Sequence, residues 1–389
     1  MNVTVGFHPP ATDDLLKLRE AFRERGRDLR FVGGCVRDLV LGFRPKDIDL
    51  CTDATPEEQM QIYGNAGIAF IPTGLQHGTL TVVLGSKVYE ITTLRIDKET
   101  DGRHATVEFT DNWTDDLARR DLTINAMAMD MDGRLYDPFG GLDDLRNHRV
   151  RFVGDAAARV REDYLRILRW VRFHGRFGGP EPDVEAFRAC QADAGGLKHI
   201  SRERIWSEIR QIATNRRAGE LFRLLASIGV NVPTGLPFGS HQEVARIAAK
   251  TDDPVTVMVA YLCSLSQVRQ LALDWKWSNQ ERNKAVFLAE QYPRYDVDLK
   301  RLLAADGVPL DYVLDLARLQ DRDSAIEELS SWQVPQFPVG GRDLVGIGFA
   351  PGPMIGEMLT FLKNIWVRSG YTARRDDLLS SLQQFPTQQ

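Results

Sequence analysis

Near residue 150 the hydrophobic pattern of this chain changes period, and that change restricts the available folds more than any other feature. Before it, short β-rich runs (FVGG, GTLTVVLG, VYEITTL and NAMAMDM) lie between Gly, Asp and Asn turns, with helical stretches among them. After it the strand signals fade and helical periodicity takes over, as in Glu162 to Phe177, Glu203 to Thr214 and Ala218 to Ile228. The expectation is an α/β domain over residues 1–150 followed by a mostly helical remainder. A Pro- and Gly-rich loop at Val334 to Gly341, then a last helix opened by Pro351-Gly352-Pro353, marks off a tail. With 389 residues, two or three domains are expected rather than one.

Composition matters here mainly through where the charge lies. The overall −5 argues weakly against a nucleic-acid partner, but residues 1–150 carry −7, residues 151–223 carry +5 and residues 224–389 carry −3. The middle segment is a basic island. A hydrophobic content of 43% with 26% charged residues excludes collagen-like, disulfide-scaffold and wholly disordered chains. Cys35, Cys51, Cys190 and Cys263 form no CxxC pair and read as reduced thiols, not a zinc site. The start MNVTVGFHPP lacks signal-peptide character, and the apolar stretch Val255 to Leu265 is too short to span a bilayer. A cytoplasmic protein that uses no membrane is expected.

Four stretches carry chemistry. Phe31-Val32-Gly33-Gly34-Cys35-Val36-Arg37-Asp38 reads as a strand, a Gly-Gly turn and a short helix, which points backbone N–H groups at an anion. It is neither a Walker A loop nor GxGxxG, and by itself such a turn is usually only a turn. Next, in Lys46-Asp47-Ile48-Asp49-Leu50, strand geometry would put Asp47 and Asp49 on one face, Cα atoms about 6.5 Å apart. Two such carboxylates suit Mg²⁺, although a lone DxD is more often a solvated turn. Glu90, in the strand Val88 to Leu94, is a candidate third carboxylate. Arg119-Arg120-Asp121 supplies phosphate-matching guanidinium groups, with Asp121 or Thr123 to fix the turn; surface ion pairing is the plain alternative.

The fourth stretch, Glu162 to Phe173, is the most informative. On one helix Tyr164, Ile167, Leu168 and Val171 share an arc, and Glu162, Arg166, Arg169, Arg172 and Arg176 share the opposite one. Glu162 stands four residues before Arg166 and can hold its guanidinium, as any salt-bridged helix would; Asp163 lies beside it. Asp163 with Arg166 therefore offers one fixed acceptor next to one fixed donor. Cytosine and adenine present the complementary amino group and ring nitrogen, whereas uracil and guanine present the reverse. Each buried mismatch costs roughly 1–3 kcal/mol, enough to select C and A.

Taken together and in order, GGCVRD, KDIDL, YEITTLR, DLARRDLTINAMA, DPFGGLDDL, EDYLRILRWVRF and SRERIWSEI resemble the class II tRNA nucleotidyltransferase and bacterial poly(A) polymerase family, most of all its CCA-adding members. The match is dense over about residues 30–230 and weaker at GGRDLVGIGFAPGPMIGEML. The resemblance implies an α/β nucleotidyltransferase head with a mixed, mainly antiparallel sheet (1–150), then helical neck (151–223), body (224–333) and tail (334–389). It implies Asp47 and Asp49 as ligands of Mg²⁺, with Gly34, Arg37 and Arg120 on the triphosphate of CTP or ATP. Asp163 and Arg166 would read the base, Arg169 and Arg172 would add nucleotide contacts, and Arg204 and Glu208 would brace the pocket.

The implied activity is template-free addition of C, C and A to the 3′ end of tRNA, with no obligate protein partner. Ile96 to Asn112, including Asp101-Gly102-Arg103-His104, resembles the flexible loop of full CCA-adding members, although His104-Ala105 departs from the family's wording. A-only addition, poly(A) addition and an inactive RNA-binding protein are the alternatives.

Overall fold

The computed structural model describes residues 2–4, 12–85, 87–100 and 105–385. The chain forms two compact units, residues 1–241 and 242–389.

In the first unit the strands β1 (Asn2–Thr4), β2 (Leu29–Val32), β3 (Asp49–Thr52), β4 (Ala69–Gly74), β5 (Thr79–Leu84) and β6 (Lys87–Thr93) join β9 (Ala128–Met129) and β10 (Arg134–Tyr136) in one sheet. Its order is β1-β10-β9-β2-β3-β6-β5-β4, and β7 (Arg95–Thr100) with β8 (Ala105–Phe109) forms a separate two-stranded ribbon. The pairing of β3 with β6 is parallel and the others are antiparallel, so the sheet is mixed and mainly antiparallel, as expected. Helices α1 (Asp13–Arg23), α2 (Gly34–Val40), α3 (Pro56–Ala66), α4 (Trp113–Ala118) and α5 (Gly141–Arg146) accompany it. Local caps set two of these starts: Thr12 caps α1, and Thr55 with Glu58 closes a capping box on α3.

The helical part of this unit includes α6 (Ala156–Glu162), α7 (Leu165–Phe177), α8 (Val184–Asp193), α9 (Arg202–Ala213) and α10 (Ala218–Ile228). On α7 the expected apolar arc is buried, with Ile167, Leu168 and Val171 all at 0% exposure. Trp170, also buried, donates its indole N–H to the Val150 carbonyl at 2.9 Å.

Two expectations about this unit are corrected. The stretch from Glu162 to Phe173 is not one helix: Asp163 is extended (φ −152°), and its carboxylate accepts the Leu165 amide at 3.0 Å, a local bond that competes with continuing α6. Asp47 is not on a strand, since β3 begins at Asp49; its pairing with β2 stops at Leu50 because β2 turns away at Gly33. The stretch Ile96 to Asn112, which resembles the family's flexible loop, includes the paired strands β7 and β8, and its motif 101–104 lies outside the described residues.

In the second unit, residues 242–389, the helix Pro353–Arg368 starts where the proline signal placed it, but it is not the last, because Arg375–Ser380 is helical too. Val339, Leu344, Met358, Leu362, Trp366 and Leu378 form the buried cluster around it.

The break at Asp163 is seated by Tyr164. A Cβ on Gly196 would lie 2.1 Å from the Tyr164 ring, so only glycine leaves that ring its place. Gly196→Ala is expected to destabilise the protein by about 2 kcal/mol in denaturant unfolding, in the range of overpacked cores. Unchanged stability would show that the ring has another seat.

Candidate active site

The Gly-Gly turn begins the site. Gly33 has φ +73°, in the region glycine favours, and a Cβ there would meet Arg120 Nη1 at 2.7 Å. Arg120 can therefore lie directly against the turn. Its Nη2 donates to buried Asp116 at 3.1 Å, while its Nε is buried without a hydrogen-bond partner. Burial would raise the Asp116 carboxyl, but Arg120 and Arg119 outweigh it and hold it below the usual carboxylate range. Arg119 thus supports Arg120 by sharing its anchor, at 2.8 Å from Asp116.

From α2, Arg37 is buried under the rings of Phe173 and Phe177, at 5.3 and 4.7 Å from their centroids. Burial lowers its pKa, Asp38 opposes that shift, and Arg176 and Arg172 add to it. A guanidinium so placed gains from a further anion, and it retains N–H donors beyond those given to Asp38 and Asn125.

Opposite stands α7. Arg169 donates to Asp121 at 2.7 Å, and although burial raises the Asp121 carboxyl, Arg169 brings it below the usual range. Arg166 Nη1 is held by Glu162 at 2.5 Å and by the Arg159 carbonyl at 3.0 Å, so the expected Glu162 support spans the helix break. Asp163 keeps one carboxylate oxygen on the Leu165 amide and the other on Arg204, at 2.7 Å. Both members of the acceptor–donor pair are thereby fixed by neighbours.

These side chains enclose a cleft of about 470 Å³ lined by Gly33, Gly34, Arg37, Arg120, Asp121, Asn125, Asp163, Arg166, Arg169 and Phe173. Arg172 is not on its wall: its Nε is held by Glu208 at 2.6 Å and its guanidinium lies 4.3 Å from the Phe173 ring. Asn125 and Phe173 were not singled out from the sequence. Asn125 had a usable signal, standing four residues after Asp121 in the same arginine-rich turn, whereas Phe173 reads as ordinary core.

Asp47, Asp49 and Glu90 line a second cavity of about 740 Å³, together with Arg44, Lys46 and Lys87. Asp49 and Glu90 are partners in the parallel β3–β6 register. The Cys35 thiol, beside the Gly-Gly turn, reaches the Asp49 carbonyl at 3.6 Å. Burial raises the Asp49 carboxyl, Arg120 opposes it, and Asp47 and Glu90 raise it further, which is repulsion a cation would relieve. Among the described residues no three His, Cys, Asp or Glu side chains form a ready metal cage. The donor set fits Mg²⁺ in the mode where one or two carboxylates share the ion with substrate phosphates.

Residues 29–151 match the family model described as the poly A polymerase head domain. CCA tRNA nucleotidyltransferase 1, mitochondrial, of Danio rerio is 40% identical, with 98% of this chain and 93% of that protein covered. The Homo sapiens protein of the same name is 39% identical, with 95% and 89% covered. The chain belongs to the CCA-adding tRNA nucleotidyltransferase family. The crystal structure of the Bacillus stearothermophilus CCA-adding enzyme in complex with CTP superposes with a TM-score of 0.78 at 28% identity, covering 97% of this chain and 98% of that one. The Thermotoga maritima enzyme complexed with tRNA shares the fold, with a TM-score of 0.67 at 20% identity and coverage of 98% and 97%. As a member of this family the chain is a nucleotidyltransferase, with an α/β head and a helical remainder. Among the described residues no helix is long and apolar enough to cross a membrane.

Arg204→Ala removes a charged partner from Asp163, an interaction of about 1.5–3 kcal/mol. The KM for CTP and ATP should rise about tenfold in steady-state kinetics, with the KM for tRNA unchanged. Unaltered nucleotide KM values would mean that Asp163 is held without Arg204.

Proposed function

We propose that this chain adds C, C and A in turn to the 3′ end of tRNA, taking CMP from CTP and AMP from ATP and releasing pyrophosphate. The observation that carries this reading is Asp163 fixed beside Arg166 in the cleft that also holds Gly34, Arg37 and Arg120. One cleft thus presents an amino-base reader and a set of phosphate donors, while the carboxylates lie in the cavity next to it.

In the proposed mechanism Gly33 and Gly34 let the triphosphate approach the backbone, and Arg37 and Arg120 hold the phosphates that depart as pyrophosphate. Asp163 accepts from the exocyclic amino group of C or A, and Arg166 donates to the ring nitrogen. Asp121 and Arg169 orient the nucleotide between them; Glu162, Arg119, Arg204, Glu208 and Arg172 brace these groups from behind. Asp47 and Asp49, with Glu90 alongside, face the 3′-hydroxyl that attacks the α-phosphate in line. Asp47 and Asp49 would hold Mg²⁺, which when bound activates that hydroxyl and offsets charge on the phosphates.

The four-part division into head (1–150), neck (151–223), body (224–333) and tail (334–389) is proposed alongside. It is supported by the end of the sheet at β10 and by the tail's own buried cluster. The basic segment 151–223 would meet the RNA backbone. A cytoplasmic setting is supported by the free cysteines, although the Danio rerio and Homo sapiens relatives are named as mitochondrial.

The test is incubation with Mg²⁺ and labelled CTP or ATP, each alone and together, on tRNAs ending before the CCA, at C and at CC. Stepwise completion to CCA is expected; A incorporation on CC ends alone, or repeated A addition, would overturn full CCA addition. Asp49→Ala is expected to abolish incorporation of both nucleotides while tRNA binding persists, and retained turnover would exclude the carboxylate mechanism. With Asp163→Ala, UTP or GTP incorporation should increase.

A further inference from the structure

Asn125 is 7% exposed and lies on the wall of the nucleotide cleft, at the end of the 3-10 turn Thr123–Asn125. That turn is anchored independently of any ligand, because Thr123 donates to buried Asp144 at 2.6 Å. The Asn125 amide has its orientation set by its neighbours. Its Oδ1 accepts from Arg37 Nη1 at 2.5 Å, and its Nδ2 donates to Asp121 Oδ1 at 3.4 Å. Asp121 Oδ2 in turn accepts from Arg169 Nε at 2.7 Å. The order Arg37, Asn125, Asp121, Arg169 is a chain in which every donor meets an acceptor, and all four residues line the cleft.

The chain has two ends with different tasks. Arg37 belongs to α2, after the Gly-Gly turn, and Arg169 belongs to α7, which carries the base-reading Arg166. Asp38 takes Arg37 Nε and Nη2, and the Phe173 and Phe177 rings offer no acceptor for Nη1, so Asn125 is the polar group that sets the remaining edge. An amide is suited to this place because one end accepts and the other donates. A carboxylate would satisfy Arg37 but oppose Asp121; an apolar side chain would satisfy neither.

We propose that Asn125 is a positioning residue that couples the phosphate grip of Arg37 to the base-side helix through Asp121 and Arg169. The proposal rests on the reading that this cleft takes CTP and ATP. It implies that the two halves of the nucleotide are held by one hydrogen-bonded unit and that the halves separate according to the substitution made at Asn125.

The experiment compares Asn125→Ala and Asn125→Asp with the wild-type chain, measuring binding of pyrophosphate and of CTP by calorimetry and KM for tRNA and CTP by steady-state kinetics. Pyrophosphate binding needs no turnover, so it stays readable if the wild-type chain does not complete CCA; that failure would count against the proposed function instead. Asn125→Ala should weaken pyrophosphate and CTP about tenfold each and leave the KM for tRNA unchanged. Asn125→Asp keeps the acceptor for Arg37, so pyrophosphate should bind within about twofold of wild type while CTP weakens about tenfold. Wild-type pyrophosphate affinity in Asn125→Ala, or parallel loss of both ligands in Asn125→Asp, would overturn the proposal, as would a rise in tRNA KM matching that for CTP. If Asn125→Ala does not fold, Asn125→Asp decides alone: the split supports the coupling, and equal loss or full retention of both ligands overturns it.

Discussion

The pair formed by Asp121 and Arg169 is the constraint on which the rest of the site depends. Asp121 belongs to the turn after α4 and Arg169 to α7, so the bond joins the α/β part of the first unit to its helical part at 2.7 Å. Asp121 is buried and its Arg169 partner is half-buried, so that removing either would leave an uncompensated charge away from water, which is costly. Around that contact the two walls of one cleft come together, the Gly-Gly turn with Arg37 and Arg120 on one side and Asp163, Arg166 and Arg169 on the other. The residues behind it repeat the pattern: Glu208 on Arg172, Arg204 on Asp163 and Glu162 on Arg166 each give a cleft-lining or wall-supporting charge a fixed partner. The acids and bases of this region are thus mostly matched to each other, which explains why a cleft rich in arginine does not simply repel itself.

Much of this was legible in the sequence because its signals are local. Gly33-Gly34 after an apolar run means a turn that a phosphate or a guanidinium can approach, and Arg120 does lie against it. The change in hydrophobic period near residue 150 separated the sheet from the helices, and the buried face of α7 followed from spacing alone. What was not legible depended on partners far along the chain. The end of pairing at Leu50 is set by where β2 turns, so nothing within KDIDL reveals that Asp47 precedes the strand. The break at Asp163 is a competition between helix propagation and one side-chain hydrogen bond, settled in part by the seat that Gly196 gives Tyr164. Asn125 could be placed near the arginines, but its role as a bridge needs Arg37, which is 88 residues away.

Whole-chain charge was the least informative number. The −5 total hides an acidic head and a +5 segment at 151–223, and several of the head's acids do specific work, Asp116 and Asp121 holding arginines and Asp47 and Asp49 facing the second cavity. Distribution of charge, not its sum, agrees with a protein whose family acts on tRNA.

The central claim is that Asp163 and Arg166, held by Arg204 and Glu162, choose the base by hydrogen-bond complementarity without a nucleic-acid template. Its most direct measurement is equilibrium binding of CTP, ATP, UTP and GTP to the wild-type protein with Mg²⁺ and without tRNA. The account predicts that CTP and ATP bind at least about tenfold more tightly than UTP and GTP, as one buried mismatch requires. Equal affinity for all four nucleotides would contradict it.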